Sequence, residues 1–79
     1  MINIKILGGG CANCKRLEQI TRKVAEDNQI AAEFDHVTEY AEIMKFGVMS
    51  TPALVVEGKV LSSGRIPSEA EVTGWLKAA

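Results

Sequence analysis

The sequence predicts an α/β domain with the element order β-α-β-α-β-β-α, and three observations carry that prediction. Ile2, Ile4 and Ile6 alternate with Asn3 and Lys5 ahead of Leu7, the period-two pattern of a largely buried strand. Leu17, Ile20, Val24 and Ala25 then recur at helical spacing before a second extended run, Ile30 to Val37. Finally, two short runs flank Glu57-Gly58, a connection tight enough to make an antiparallel hairpin. With about twenty residues and a helix between them, the first two strands must run parallel through a right-handed crossover. The expected product is a four-stranded mixed sheet in the order 2-1-3-4, its first strand central and its helices on both faces.

Size and composition narrow the classes of function. Seventy-nine residues are expected to make a single domain, 1–79, burying only about 60% of the unfolded chain's surface, so the core must be compact. Nine basic residues against ten acidic ones give a net charge of −1 and leave no basic footprint for nucleic acid. No apolar stretch approaches the ~18 residues of a membrane span. Met1 to Leu7 lacks the cationic flank and cleavage site of a secretory signal, so the expected location is the cytoplasm. A chain of this length suffices as a monomer.

Each element has its local warrant. Gly8-Gly9-Gly10 ends the first strand, either as a flexible turn or as a stretch whose missing side chains let a partner approach Cys11. The first helix is expected from about Ala12 to Asn28, with Lys15, Arg16, Glu18, Arg22, Lys23 and Glu26 off its apolar stripe. Thr38 is expected to cap a short helix, Glu39 to Phe46, with Tyr40, Ile43 and Met44 as its apolar stripe and Gly47 as its stop. Pro52 biases Thr51 to an extended conformation. Ala53 to Val56 and Lys59 to Ser62 form the hairpin strands. Ser68 followed by Glu71 matches a capping box for a last helix that buries Val72, Trp75 and Leu76.

The chemistry concentrates in Gly10-Cys11-Ala12-Asn13-Cys14, where the chain's two cysteines lie at the junction of strand and helix. A thiol at a helix N-terminus meets unpaired N–H groups that favour an anion, which lowers its pKa from about 8.5 and supplies thiolate near neutral pH. Lys15 and Arg16 are most simply a solvated face, although they would also favour thiolate. Two thiols at this spacing either close a disulfide across one helical turn or hold a metal. In a reducing compartment such a pair points to catalysis or metal binding ahead of a structural staple.

The dithiol motif, followed after a β-α-β unit by Thr51-Pro52 opening a hairpin, resembles the thioredoxin-fold superfamily. Phe46 through Val56 looks like that family's passage from helix through proline into hairpin, and Gly64 falls near a glycine of its strand-to-helix loop. The resemblance spans essentially the whole chain and is nearest to the short thioredoxin- or glutaredoxin-like redox-active disulfide proteins of prokaryotes. It implies a thiol–disulfide oxidoreductase that needs no cofactor. Cys11 would be the exposed nucleophile and Cys14 the less exposed resolving cysteine. Pro52 would be cis and pack against the dithiol, leaving the Thr51 backbone to pair with bound peptide like an added strand. The implied partners are disulfide-containing proteins and an upstream reductase, a thioredoxin reductase or the glutathione system. Several positions depart from the family. Gly10 stands where thioredoxins carry Trp, Ala12-Asn13 stands for Gly-Pro, Ile4-Lys5-Ile6 lacks their buried acid, and Ser62 to Arg65 lacks the acid of a glutathione signature. C-x-x-C proteins range from roughly −270 to −120 mV, so the motif does not fix a reducing or oxidising role.

The rival reading is a heavy-metal-associated domain, whose copper loop Cys-Ala-Asn-Cys in a Gly-rich lead also resembles, two soft thiolates suiting Cu(I). That family's order, β-α-β-β-α-β, ends in a strand, whereas this sequence ends in a capped helix, and a copper loop would not account for Thr51-Pro52. Closed zinc sites take four ligands, and Cys11, Cys14 and His36 fall short of that. His36 is read as a surface or half-buried residue, its functional alternative being a proton carrier near Cys14. Met44 and Met49 are read as packing, with Met49 also a candidate for the substrate surface.

Overall fold

The computed structural model describes residues 1–9 and 12–79. Its elements are β1 (Ile2–Leu7), α1 (Ala12–Asp27), β2 (Ala32–Val37), α2 (Tyr40–Lys45), β3 (Ala53–Val56), β4 (Lys59–Ser63) and α3 (Glu69–Ala78). The four strands form one mixed sheet in the order β2-β1-β3-β4. β1 and β2 run parallel in the register Ile4↔Phe34 and Ile6↔His36, while β3 is antiparallel to both β1 and β4.

Alternation along the strands builds two cores. Ile4 and Ile6 of β1 and Leu54 and Val56 of β3 point to one face, where α1 supplies Leu17, Val24 and Ala25 and α3 supplies Val72 and Leu76. Leu7, Ala53 and Val55 point to the other, where Ile43 of α2 and Val48 close a smaller cluster. Trp75 is half-buried against the first cluster. The Arg22 guanidinium stacks over Phe34 at 4.3 Å, adding a cation–π contact at that core's margin.

The element ends correct the sequence reading in several places. Ile30 does not open β2; it belongs to the end of α1. Its N–H bonds to the Ala25 carbonyl at 2.8 Å and that of Gln29 to Glu26 at 3.1 Å, the double bond of a Schellman cap. Gln29 takes the left-handed conformation, φ 54°, that the cap requires, and Ile30 packs on the core as the cap's hydrophobic contact. Thr38 caps nothing. α2 starts one residue later than its pattern suggests, with Glu39 at the N-cap and no side-chain cap bond. Of its three expected apolar residues only Ile43 is buried; Tyr40 is 75% exposed and Met44 48%. Gly47 follows the helix at φ 75° and donates to the Met44 carbonyl, as expected of a stop. β4 runs one residue further than expected, to Ser63, and a register shift between Leu54 and Val55 bends the hairpin. The capping box of α3 is complete, Ser68 Oγ accepting from the Glu71 N–H while Glu71 accepts from that of Ser68.

Candidate functional site

Three segments converge at the C-terminal end of β1: Gly8 and Gly9 after that strand, the first turn of α1, and the loop into β3. Cys14, in the first turn of α1, is fully buried and disulfide-bonded. Its burial follows from the helical period, since it stands one turn ahead of Leu17 on the face that meets the sheet. Cys11, the expected nucleophile, lies outside the described residues.

Gly8 explains how the buried sulfur fits. Its N–H donates to the Val37 carbonyl at 2.9 Å, extending the β1–β2 ladder one residue beyond the strand and fixing the glycine in place. A Cβ there would run into the Cys14 sulfur and lie 3.8 Å from the Thr51 Cβ. The role of this glycine is therefore close approach: a missing side chain lets the sulfur and the Thr51 loop meet over the strand end. The sequence reading assigned the glycine run to a turn, or to room beside Cys11, and missed this contact. A buried run ending in glycine directly before a helical cysteine was its available signal.

The opposing wall is the Ser50–Pro52 loop. The Thr51–Pro52 peptide bond is cis, Thr51 is exposed and Pro52 is buried. The loop is held from behind by Gly64, whose N–H bonds to the Pro52 carbonyl at 2.9 Å. Gly64 sits at φ 72°, and a Cβ on it would come within 2.9 Å of the Ser50 Cβ, so glycine is needed twice over, for its backbone conformation and for space.

Beside Thr51 opens a groove of about 300 Å³ lined by Tyr40, Ile43, Met44, Val48 and Met49, with Gly9 at its edge. Met49 is 95% exposed, so neither it nor Met44 is the packing residue expected from sequence. His36 faces α1. It is exposed on β2, with Nδ1 3.4 Å from a Glu18 carboxylate oxygen, and Glu18 also accepts from Arg22 at 2.9 Å. Among the described residues no cluster of three or more His, Cys, Asp or Glu is placed to hold a metal ion. Nor is any described helix long and apolar enough to cross a membrane.

On the β2-β1-β3-β4 sheet the buried helical cysteine thus stands near the loop that carries a cis proline. A family model described as a thioredoxin domain matches residues 2–77. The chain belongs to the thioredoxin family. A protein named thioredoxin from Methanothermobacter thermautotrophicus is 38% identical over 72 residues, covering 91% of this chain and 94% of that relative. One from Methanocaldococcus jannaschii, also named thioredoxin, is 33% identical over 78 residues, covering 99% of this chain and 90% of the relative. Membership in this family makes the chain a thioredoxin-like redox protein.

Proposed function

We propose that this thioredoxin-family chain is a thiol–disulfide oxidoreductase that works through Cys11 and Cys14 on protein disulfides. The observation that carries the reading is Cys14. Its sulfur is buried, disulfide-bonded and packed against Gly8 beside Thr51-Pro52, and Cys11 is the sequence's only other cysteine.

In this reading Cys11 is the exposed partner. Its thiolate attacks one sulfur of a substrate disulfide; the substrate S–S bond breaks, a mixed disulfide forms, and the departing substrate thiolate takes up a proton. Cys14 then loses its proton and attacks the Cys11 sulfur, releasing the second substrate thiolate. Two electrons pass to the substrate, and Cys11 and Cys14 end as a disulfide. An upstream reductase, of the thioredoxin reductase or glutathione type, returns the pair to dithiol. The Thr51 backbone, exposed ahead of a buried proline, is suited to pair with extended substrate main chain. The cytoplasm, where such a pair is cycled by reductants, is the compartment that fits.

The copper reading loses its footing in the element order, because a helix, α2, follows β2 where that family's order has a strand. The test is alkylation and turnover. With reduced protein at neutral pH, iodoacetamide is expected to label Cys11 rapidly and spare Cys14. Cys11→Ser is expected to abolish reduction of an insulin-type protein disulfide; a variant that kept the wild-type rate would refute the assignment.

A further inference from the structure

Two surfaces of opposite character begin at Gly9 and at Ala12. On one side lies the groove beside Thr51, reaching Gly9 and lined entirely by uncharged residues. On the other, a broad concavity on α1 begins at Ala12 and is lined by Lys15, Arg16, Lys23 and Glu69. Along the chain only positions 10 and 11 separate Gly9 from Ala12. A substrate segment that reaches from the groove at Gly9 to Ala12 on α1 therefore meets an apolar wall and a cationic one.

The cations on α1 are not all neutralised. Lys5, Arg22, Lys23, Lys45 and Arg65 each pair with a carboxylate. Lys23 is held by Glu69 at 3.0 Å and Asp27 at 3.8 Å, which cancels the one carboxylate in the concavity. Lys15 and Arg16 are exposed and make no ion pair among the described residues; of the other cations, only Lys59 and Lys77 share that state. In a chain of net charge −1, two adjacent unpaired cations in the helical turns that carry Cys14 are a local reversal of sign.

The geometry points to a substrate class: protein disulfides whose reactive cysteine is flanked by apolar side chains on one side and by carboxylates on the other. The apolar flank lies in the groove against Met44 and Met49, and the acidic flank lies on α1 against Lys15 and Arg16. Charge complementarity of this kind acts mainly on encounter and register, and salt screens it. The inference rests on the redox reading above and adds to it the choice of partner.

The experiment follows oxidation of the reduced full chain in single turnover, counting free thiols against time. Three probes are used: uncharged hydroxyethyl disulfide, and two homodimeric peptide disulfides carrying leucines on one flank of Cys with either two Glu or two Lys on the other, each made in both orders. At low ionic strength the better-ordered acidic peptide is expected to react about tenfold faster than its basic counterpart, the ratio falling to under about twofold near 1 M salt. Lys15→Glu/Arg16→Glu is expected to invert the ratio. Lys59→Glu/Lys77→Glu, with the same change in net charge elsewhere, is expected to preserve it. Equal rates for the two peptides, or an equal response to both double variants, would overturn the substrate class while leaving the redox reading intact. Failure of the wild type to react with hydroxyethyl disulfide would overturn both.

Discussion

α1 and α2 lie on opposite faces of one sheet, and both carry apolar residues at helical spacing, yet they use them differently. α1 buries Cys14, Leu17, Thr21, Val24 and Ala25, with α3 closing over the same core. α2, six residues long, buries only Ile43 and leaves Tyr40 and Met44 in solvent beside Thr51. Helical periodicity tells which residues share a face. Whether anything covers that face is decided by the neighbours, and among the described residues no second helix joins the cluster around Ile43. The uncovered apolar residues line the groove beside Thr51, so the same sequence pattern means core in one helix and surface in the other.

That contrast can be tested to breaking. The largest effect is expected from Leu17→Ala, which should lower stability by about 2–5 kcal/mol in urea unfolding because the side chain is fully buried. Met44→Ala on α2 should change stability by less than about 0.5 kcal/mol while slowing oxidation by leucine-flanked peptides; an equal loss of stability in both would erase the distinction between the helices. Gly8→Ala tests how tightly the cysteine side is packed. Its new methyl group meets the Cys14 sulfur, and a cost of about 1–3 kcal/mol is expected, together with slower reaction of the dithiol.

The smallest effect concerns how the helices are capped. Glu71 of α3 is held down to about 2 from an ordinary 4.5, chiefly by the hydrogen bonds from Arg65 and then by that from the Ser68 backbone. Because its folded pKa is depressed, its contribution is complete above about pH 4.5 and disappears as the pH falls towards 2. Glu71→Gln is therefore expected to unfold at lower urea than the wild type at pH 7, the gap closing through that acid window. α2, by contrast, has no side-chain cap at its N-terminus.

Much of the fold and part of the site were legible in the chain. Ile2, Ile4 and Ile6, the spacing of Leu17, Val24 and Ala25, and Glu57-Gly58 led to the right order of elements and strands, because periods of two and 3.6 register burial directly. Ser68 and Glu71 read correctly because a capping box is closed within four residues. Ile30 misled because its burial served a helix cap instead of a strand. Thr38 misled because a capping residue works only at the one position where the helix starts.

The sequence by itself determined that this chain folds as a thioredoxin-like α/β protein, that its two cysteines stand at a strand-to-helix junction, and that Thr51-Pro52 opens the hairpin. These are local matters of period, spacing and backbone preference. Only the tertiary structure decided that Gly8 makes room for the Cys14 sulfur, that Gly64 holds the Ser50–Pro52 loop, and that Tyr40, Met44 and Met49 face solvent. Each of these depends on which atoms from distant segments occupy the same space, and no pattern along the chain records that.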